Sequence, residues 1–191
     1  MKKVFAYGGI AASVVLVAFG AGAIVIGATG LNEVRDELAA QKITATDDAA
    51  ELTGGALQPG QTIDTGAEAR SFADIMEHHT LQATEGERYA EMGRFLTSSG
   101  EDTNDEALAA KTDEGRPVEN GLRNMWVTET ALTTALNTAF FAERVALFSI
   151  VMGVALLLTG IGFLVLTLGG ALGLVTLPRR ATKTATASAA I

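Results

Sequence analysis

The sequence predicts an all-α protein that has two transmembrane helices and, between them, a helical extracytoplasmic domain. The first observation is that no Asp, Glu, Lys, Arg or His occurs from Val4 to Leu31 or from Val145 to Pro178. A helix needs only about 20 such residues to cross a bilayer, so both runs are long enough. Glycines follow residue 168, which places the embedded part of the second run at residues 145–168.

The second observation is that the residues between the two runs follow a helical, amphipathic pattern. The spacing of Phe72, Ile75, Met76 and His79 predicts a helix over residues 67–84. The Gly, Pro and Thr content of residues 53–66 predicts a loop before it.

Two further helices are expected in this domain. After Gly86, the residues Tyr89, Met92 and Leu96 predict a shorter helix that ends near Gly100. The last helix begins near residue 118, and no Gly or Pro interrupts it between residues 122 and 152. We therefore expect the second span to be continuous with a long outer helix.

The distribution of charge predicts how the chain is threaded. Lys2 and Lys3 precede the first span, Arg179, Arg180 and Lys183 follow the second, and neither tail carries a negative charge. Because cytoplasmic flanks are enriched in Lys and Arg, we expect the plasma membrane with both termini in the cytoplasm. The chain then divides into a cytoplasmic N-terminus (1–3), transmembrane helix 1 (4–31), an extracytoplasmic acidic helical domain (32–144), transmembrane helix 2 (145–168), and a membrane exit with a cytoplasmic C-terminal tail (169–191).

A cleaved signal peptide is the alternative interpretation of the first span. The small residues Ala21, Gly22 and Ala23 resemble a cleavage site. The apolar region of a signal peptide is usually only about 7 to 15 residues long, whereas this run continues past that point. An uncleaved anchor is therefore favoured.

Composition excludes several classes of partner and cofactor. The 191 residues include 14 basic and 22 acidic ones, and this balance argues against a nucleic-acid partner. Without cysteine there is no disulfide framework, thiolate zinc site or iron–sulfur cluster, and we expect no cofactor. Neither span contains an ionisable residue, which makes a transporter or channel a weak interpretation.

His78 and His79 are the one place that suggests a metal. Neighbouring residues on a helix point about 100° apart, so the two rings cannot share one ion as an i, i+4 pair does. We expect His79 to be a half-buried packing residue and His78 to be solvated. A metal-dependent enzyme would need carboxylates from elsewhere to complete the site.

Glu129 and Glu143 both project onto the apolar face of the long helix. A carboxylate in such a place must find a partner or be protonated. We expect an ion pair with an arginine such as Arg88 or Arg94, or with a partner subunit; the alternative is a proton-active or ligand-binding carboxylate. Trp126 lies too far along the helix to belong to an aromatic belt. We therefore predict Glu129, Glu143, Trp126 and His79 as buried or partner-facing.

The spans contain small residues at close spacing. Such residues let helix backbones approach each other or another protein. The pairs are Gly9 and Ser13, Ala18 and Gly22, Ala23 and Gly27, and Ser149 and Gly153.

Four segments carry a resemblance to a known family: MKKVFAYGGIAASVVLVAFG, DTGAEARSFADIMEHHTLQAT, YAEMGRFL and NMWVTETALTTALNTAFFAERVALFSIVMGVALLLTGIGFLVLTLG. In these segments, which cover most of the chain, it resembles a family of uncharacterised two-pass membrane proteins of actinobacteria. Some members are labelled aromatic ring-opening dioxygenases. Such enzymes that use non-haem iron need two histidines and a carboxylate around open positions, and the adjacent histidines here do not supply them. The resemblance implies an actinobacterial plasma membrane and no site residue.

Together these observations predict a non-enzymatic accessory or interaction subunit of a larger envelope or respiratory membrane complex. The expected partners are the lipid bilayer and another membrane protein or a second copy of the chain. The alternatives are an extracytoplasmic sensor or ligand-binding protein and, third, a metal-dependent enzyme. A ligand pocket lined by Glu129 would favour the sensor, and a metal at His79 would favour the enzyme.

Overall fold

Two helices dominate the structure, a computed structural model that describes residues 2–169. In chain order the elements are α1 (Lys2–Ala40), α2 (Ala49–Leu52), α3 (Gly66–Ala83), β1 (Phe95–Leu96), β2 (Asp102–Thr103) and α4 (Gly121–Leu168). The predictions for the end of the second uncharged run and for the C-terminal tail lie outside the described residues.

α1 and α4 are both long and apolar enough to cross a membrane, as the uncharged runs predict. α1 continues nine residues beyond Leu31, to Ala40. α4 is unbroken over 48 residues, which confirms the predicted continuity of the last helix. It begins at an N-cap: Asn120 Oδ1 accepts the backbone N–H groups of Leu122 and Arg123 at 3.1 and 3.4 Å.

The described chain forms two compact units. The first, which we call the apolar pair, consists of residues 2–25 of α1 and residues 149–168 of α4. The second, which we call the polar unit, consists of residues 26–148 and contains α2, α3, both strands and the remaining parts of the long helices.

The two helices of the apolar pair meet along small residues that recur every seventh position. On α1 the buried positions are Ala6, Ser13 and Gly20, and on α4 they are Gly153, Gly160 and Thr167. A seven-residue repeat keeps one narrow face turned toward a neighbouring helix. Pairs of small residues four apart in the sequence do not predict this repeat.

Along this line of small residues, which we call the seam, the two helices run antiparallel. Their contacts leave no room for a side chain at the glycines. A Cβ on Gly20 would lie 2.7 Å from the Gly153 carbonyl oxygen, and one on Gly160 would lie 3.0 Å from that of Ser13. Gly9 faces Thr167 in the same manner. The predicted close approach is thus confirmed at Gly9, Ser13 and Gly153.

Other small residues of α1 point away from this seam. Ala18 and Gly22 are exposed, and a Cβ on Gly22 would meet nothing within 4 Å. The close spacing of this pair therefore does not serve the contact between the two helices.

In the polar unit, α3 begins with a capping box. The Thr65 hydroxyl accepts the Glu68 N–H, and the Glu68 carboxylate accepts the Thr65 N–H at 2.9 Å. Partial burial raises the pKa of Glu68, but hydrogen bonds from Asp64, Thr65 and Gln61 outweigh it and hold that pKa below its ordinary value. The helix lies within one residue of the predicted bounds at each end.

The core of the polar unit lies under this helix and the preceding loop. It is built from aliphatic and alanine side chains of α1, α3, α4 and the connection between α1 and α3. The largest fully buried members are Leu57, Ile63 and Ile75.

The predicted helix after Gly86 is wrong. Residues 95–96 and 102–103 instead pair as a short antiparallel ladder, with Phe95 opposite Thr103. Isolated bridges add Glu119 beside Phe95 and Ala109 beside Thr97. Gly93 permits this arrangement, because a Cβ there would lie 2.5 Å from the Thr103 nitrogen.

Candidate functional site

His79 lies near the end of α3 and contacts the connection between α1 and α2. Its Nε2 atom is 2.7 Å from Asp48 Oδ2, and the Thr46 hydroxyl donates to Asp48 Oδ1 at 2.7 Å. The hydrogen bond from Thr46, followed by that from His79, holds the pKa of the Asp48 carboxyl below its usual range. The half-buried position of His79 is confirmed, whereas its partner Asp48 was missed.

His78 is exposed, as predicted. Its ring centroid is 6.1 Å from that of His79, and the ring planes are inclined by 62°. Among residues 2–169, no group of three or more His, Asp and Glu side chains is arranged to hold a metal ion.

Glu143 joins three helices. Its Oε1 atom accepts a hydrogen bond from Arg35 Nη2 on α1 at 2.7 Å, and its Oε2 atom accepts the N–H of Gly66, the first residue of α3. An ion pair was predicted, but the expected partners Arg88 and Arg94 are wrong, because the arginine is Arg35. The side chain of Arg35 is 45% exposed, while that of Glu143 is 8% exposed.

The geometry of α3 explains why Glu143 can reach a backbone donor. The first N–H groups of a helix have no partner within the helix, and the N-terminus favours a negative charge. Gly66 allows α4 to come close, since a Cβ there would lie 2.9 Å from the Phe140 Cα. The carboxylate therefore anchors α3 to α4, and Arg35 balances its charge.

Trp126 and Glu129 face the interior of the polar unit one turn apart on α4. The Trp126 indole N–H donates to the Glu87 carbonyl oxygen at 2.9 Å. Glu129 is 6% exposed and accepts a hydrogen bond from the Thr130 hydroxyl at 3.2 Å. The burial of both residues is confirmed.

The arginines predicted as partners of Glu129 have other contacts. Arg88 pairs with Glu77 at 3.0 Å and lies 5.6 Å from the centre of the Trp126 ring. Arg94 lies over the Phe95 ring at 5.2 Å. The structure thus gives Glu129 a hydroxyl partner where an arginine was expected.

The four residues predicted from the sequence do not form one site. Each has its own partner: Asp48 for His79, Arg35 and Gly66 for Glu143, Glu87 for Trp126, and Thr130 for Glu129. The contacts of His79, Glu143 and Trp126 join separate elements of the polar unit.

A separate recess lies where α3 ends and α4 begins, and we call it the acidic groove. It has a volume of about 360 Å³. Its lining residues are the buried Thr84, Met92 and Asn120, the exposed Glu85, Glu87 and Asp102, and the uncharged Ala83, Leu96, Gly100 and Leu122. Glu129 does not line this groove. The groove is therefore not the Glu129-lined ligand pocket that would favour an extracytoplasmic sensor.

Hydrogen bonds fix the walls of the groove. Asn120 Nδ2 donates to the Gly93 carbonyl oxygen at 3.0 Å, and the Asp102 carboxylate accepts the Gly93 N–H. The Thr84 hydroxyl donates to the Glu87 carbonyl oxygen at 2.6 Å. The polar side chains of Thr84, Asn120 and Asp102 are thus bonded within the chain, while Glu85 and Glu87 are exposed residues.

Comparison of the chain with protein-family models, curated proteins and solved structures gives no significant match.

Proposed function

We propose that the chain is a non-enzymatic integral membrane protein that serves as an accessory or interaction subunit of a larger envelope or respiratory membrane complex. Both apolar helices would cross the plasma membrane, with both termini in the cytoplasm and the intervening acidic segment outside. The partners would be the bilayer and another membrane protein or a second copy of the chain.

The observation that carries this proposal is the exposure of large apolar side chains on α1 and α4. Phe19 is 71% exposed and Phe148 is 64% exposed. The most apolar windows of the two helices are only 11% and 17% buried, whereas a core helix of a soluble protein would be mostly buried. Exposed apolar surface of this extent is covered by lipid or by another protein.

The charge distribution supports the direction of threading. The segment between the uncharged runs carries nine basic and 22 acidic residues, while the two tails carry five basic residues and no acidic one. Because the bias of Lys and Arg sets orientation, this difference favours an outer acidic segment.

The absence of cysteine from the sequence allows a direct test of threading. A cysteine that replaces the exposed Ser99 should react with a membrane-impermeant thiol reagent in intact cells, and one that replaces Ser188 should react only after permeabilisation. The reverse labelling pattern would refute the proposed topology.

The accessory role has a separate test. After extraction in a mild detergent, affinity purification of the full chain should recover a partner membrane protein, or a second differently tagged copy, in stoichiometric amount. Recovery of the chain alone under several mild detergents would contradict the accessory role while leaving the membrane topology in place.

A further inference from the structure

One face of α4 within the polar unit is exposed and carries no charge. Its positions follow one another at alternate intervals of four and three residues, and the last lies seven residues further on. We call this face the outer stripe, and all its members are exposed: Val127, Ala131, Thr134, Thr138, Phe141 and Phe148. Such spacing places side chains along one narrow line of a helix, as in helices that pack side by side.

The outer stripe lies away from the face with which α4 packs into the polar unit. The buried residues of that part of α4 are Trp126, Glu129, Leu136, Glu143 and Ala146, each no more than 7% exposed. At about 100° per residue, every one of them lies roughly 90° or more round the helix from the middle of the stripe. The stripe is therefore a second face of the helix, which the core of the polar unit does not cover.

Lipid would cover only the last part of the outer stripe. In the proposed topology the bilayer begins near Val145, so Phe148 would lie against lipid. The stretch from Val127 to Phe141 would extend roughly 21 Å beyond it, at about 1.5 Å per residue. Phe141 is 67% exposed and Val127 is 54% exposed. Large apolar side chains exposed in a row outside the bilayer mark a surface that contacts protein.

Carboxylates are absent from this stripe. The two carboxylates of α4, Glu129 and Glu143, are buried on the packing face. The neighbouring Arg144 lies over the ring of Phe140 on its own helix, at 5.0 Å. The Thr138 hydroxyl donates to a carbonyl oxygen of α4 at 2.7 Å, so it needs no outside acceptor. A basic segment finds no charge to pair with on the stripe, and a second copy of the stripe meets no repulsion there.

We propose that the outer stripe is the contact between two copies of this chain, whose α4 helices lie parallel and side by side about a two-fold axis. Copies in one membrane are threaded in the same direction, so equal residues lie at equal heights and the stripe meets itself. The short side chains of Ala131, Thr134 and Thr138 would let the two backbones approach closely. This inference rests on the proposed role as an interaction subunit and names a second copy as the partner at this surface.

The two phenylalanines would supply a large part of the area that a dimer needs. At 67% and 64% exposure, Phe141 and Phe148 of two copies would together bury roughly 500 Å², if a fully buried phenylalanine removes about 200 Å² from water. A stable interface buries about 1,200 Å² or more in total. The four shorter residues of the stripe and the positions beside them would supply the remainder.

Single cysteines locate the contact in membranes that contain the full chain, because the sequence has no cysteine of its own. Thr134→Cys should form a disulfide-linked dimer under mild oxidation. Leu132→Cys is the matched control, since Leu132 is 46% exposed and lies roughly 160° round the helix at nearly the same height. The control should cross-link about fivefold less or weaker still, because a disulfide needs Cβ atoms within about 4.5 Å of each other.

A charge placed on the outer stripe tests the same contact by disruption. Thr138→Glu would set two carboxylates against each other and should weaken self-association about tenfold or more. Leu132→Glu adds the same charge away from the stripe and should self-associate as the parent does. Co-purification of two differently tagged copies in mild detergent measures the association, and circular dichroism checks that both variants keep their helices.

Salt gives a third readout. Each segment between the uncharged runs carries nine basic and 22 acidic residues, so two copies repel each other outside the stripe. Added salt screens this repulsion and should strengthen self-association. Self-association that falls as salt is added would indicate a contact between opposite charges and would overturn the inference.

The inference also fails if Thr134→Cys and Leu132→Cys cross-link equally, or if Thr138→Glu self-associates as the parent does. These failures are distinct from failure of the proposed function. Recovery of a different membrane protein in stoichiometric amount, without cross-linking of Thr134→Cys, would reject the dimer and retain the accessory role. Cross-linking of Thr134→Cys together with reversed labelling of Ser99→Cys and Ser188→Cys would reject the topology and retain the dimer.

Discussion

Replacing Gly20 by alanine should force the two helices of the apolar pair apart. A Cβ at this position would lie 2.6 Å from the Leu157 nitrogen and 2.7 Å from the Gly153 carbonyl oxygen. Non-bonded heavy atoms need about 3.5 Å, so the backbones must separate by roughly 0.9 Å at this point. Because the obstructing atoms belong to the backbone, no change of rotamer relieves the contact.

The expected cost follows from what overpacking does in other closely packed interiors. Added methyl groups in such places usually cost about 1 to 3 kcal/mol. We expect about 2 to 3 kcal/mol for Gly20→Ala, because two backbone atoms obstruct the new methyl group at once and the neighbouring contacts of Gly153 are lost with it.

Gly22→Ala is the matched control, since it lies on the same helix and a Cβ there meets nothing within 4 Å. Unfolding in mixed detergent micelles, followed by far-ultraviolet circular dichroism, gives the free energy of unfolding for each variant. The control should remain within about 0.5 kcal/mol of the parent. Equal stabilities of the Gly20 and Gly22 variants would show that the seam is not as close as described.

The remaining predictions concern the polar unit. Glu143→Ala should lower the free energy of unfolding by about 2 to 3 kcal/mol, because it leaves the buried Gly66 N–H unpaired. Arg70→Ala removes an exposed ion pair with Asp74 and an exposed hydrogen bond to Asn137, and it should cost less than about 1 kcal/mol. Equal losses in denaturant titrations would argue against the Glu143 contacts. The pKa of Glu68 is lowered in the folded state. The contribution of Glu68 to stability is therefore complete above the unfolded pKa of about 4.3 and is lost as the pH falls through the folded value. The free energy of unfolding of Glu68→Gln, measured against pH, should depend less on acid than that of the parent, and an identical dependence would contradict this. Thr134→Pro should cost about 3 kcal/mol or more in α4 by removing a backbone hydrogen bond and clashing with the preceding turn. The variant should still insert, but it should become sensitive to limited proteolysis of membranes and lose any partner that co-purifies with the parent. Thr134→Ala should resemble the parent.

Elements that depend on local signals could be predicted from the sequence. The unbroken α4 follows from the absence of Gly and Pro between residues 122 and 152, and the start of α3 follows from the Thr65 and Glu68 capping box. Both signals act within a few residues of the structure that they determine. Helix bounds were accordingly close to those observed.

The segment after Gly86 shows where local periodicity fails. Tyr89, Met92 and Leu96 have the spacing of one helix face, yet Leu96 belongs to β1. Three apolar residues are a weak signal, and the competing structure depends on contacts that are distant in sequence, such as Gly93 against Thr103. No pattern within residues 86–100 shows that a strand partner will arrive from beyond Gly100.

Partners of the candidate site residues were harder to predict than their burial. Glu143 was recognised because it interrupts an apolar helix face, but Arg35 is 108 residues away and its pairing follows from the packing of α1 against α4 within the polar unit. The same holds for His79 and Asp48. The acidic groove was missed because its lining residues come from three separate stretches of the chain.

The seven-residue repeat of the apolar pair is present in the sequence, but pairs of small residues four apart do not predict it. Ser13 and Gly20 recur at the same interval as Gly153 and Gly160, and this interval keeps one face of each helix turned toward the other. Since these residues contact each other within the chain, a substitution at Gly20 reaches a partner only by disturbing the apolar pair. Loss of the partner in Gly20→Ala should therefore be accompanied by loss of stability. A Gly20→Ala variant that lost a co-purifying partner and still unfolded like the parent would contradict this.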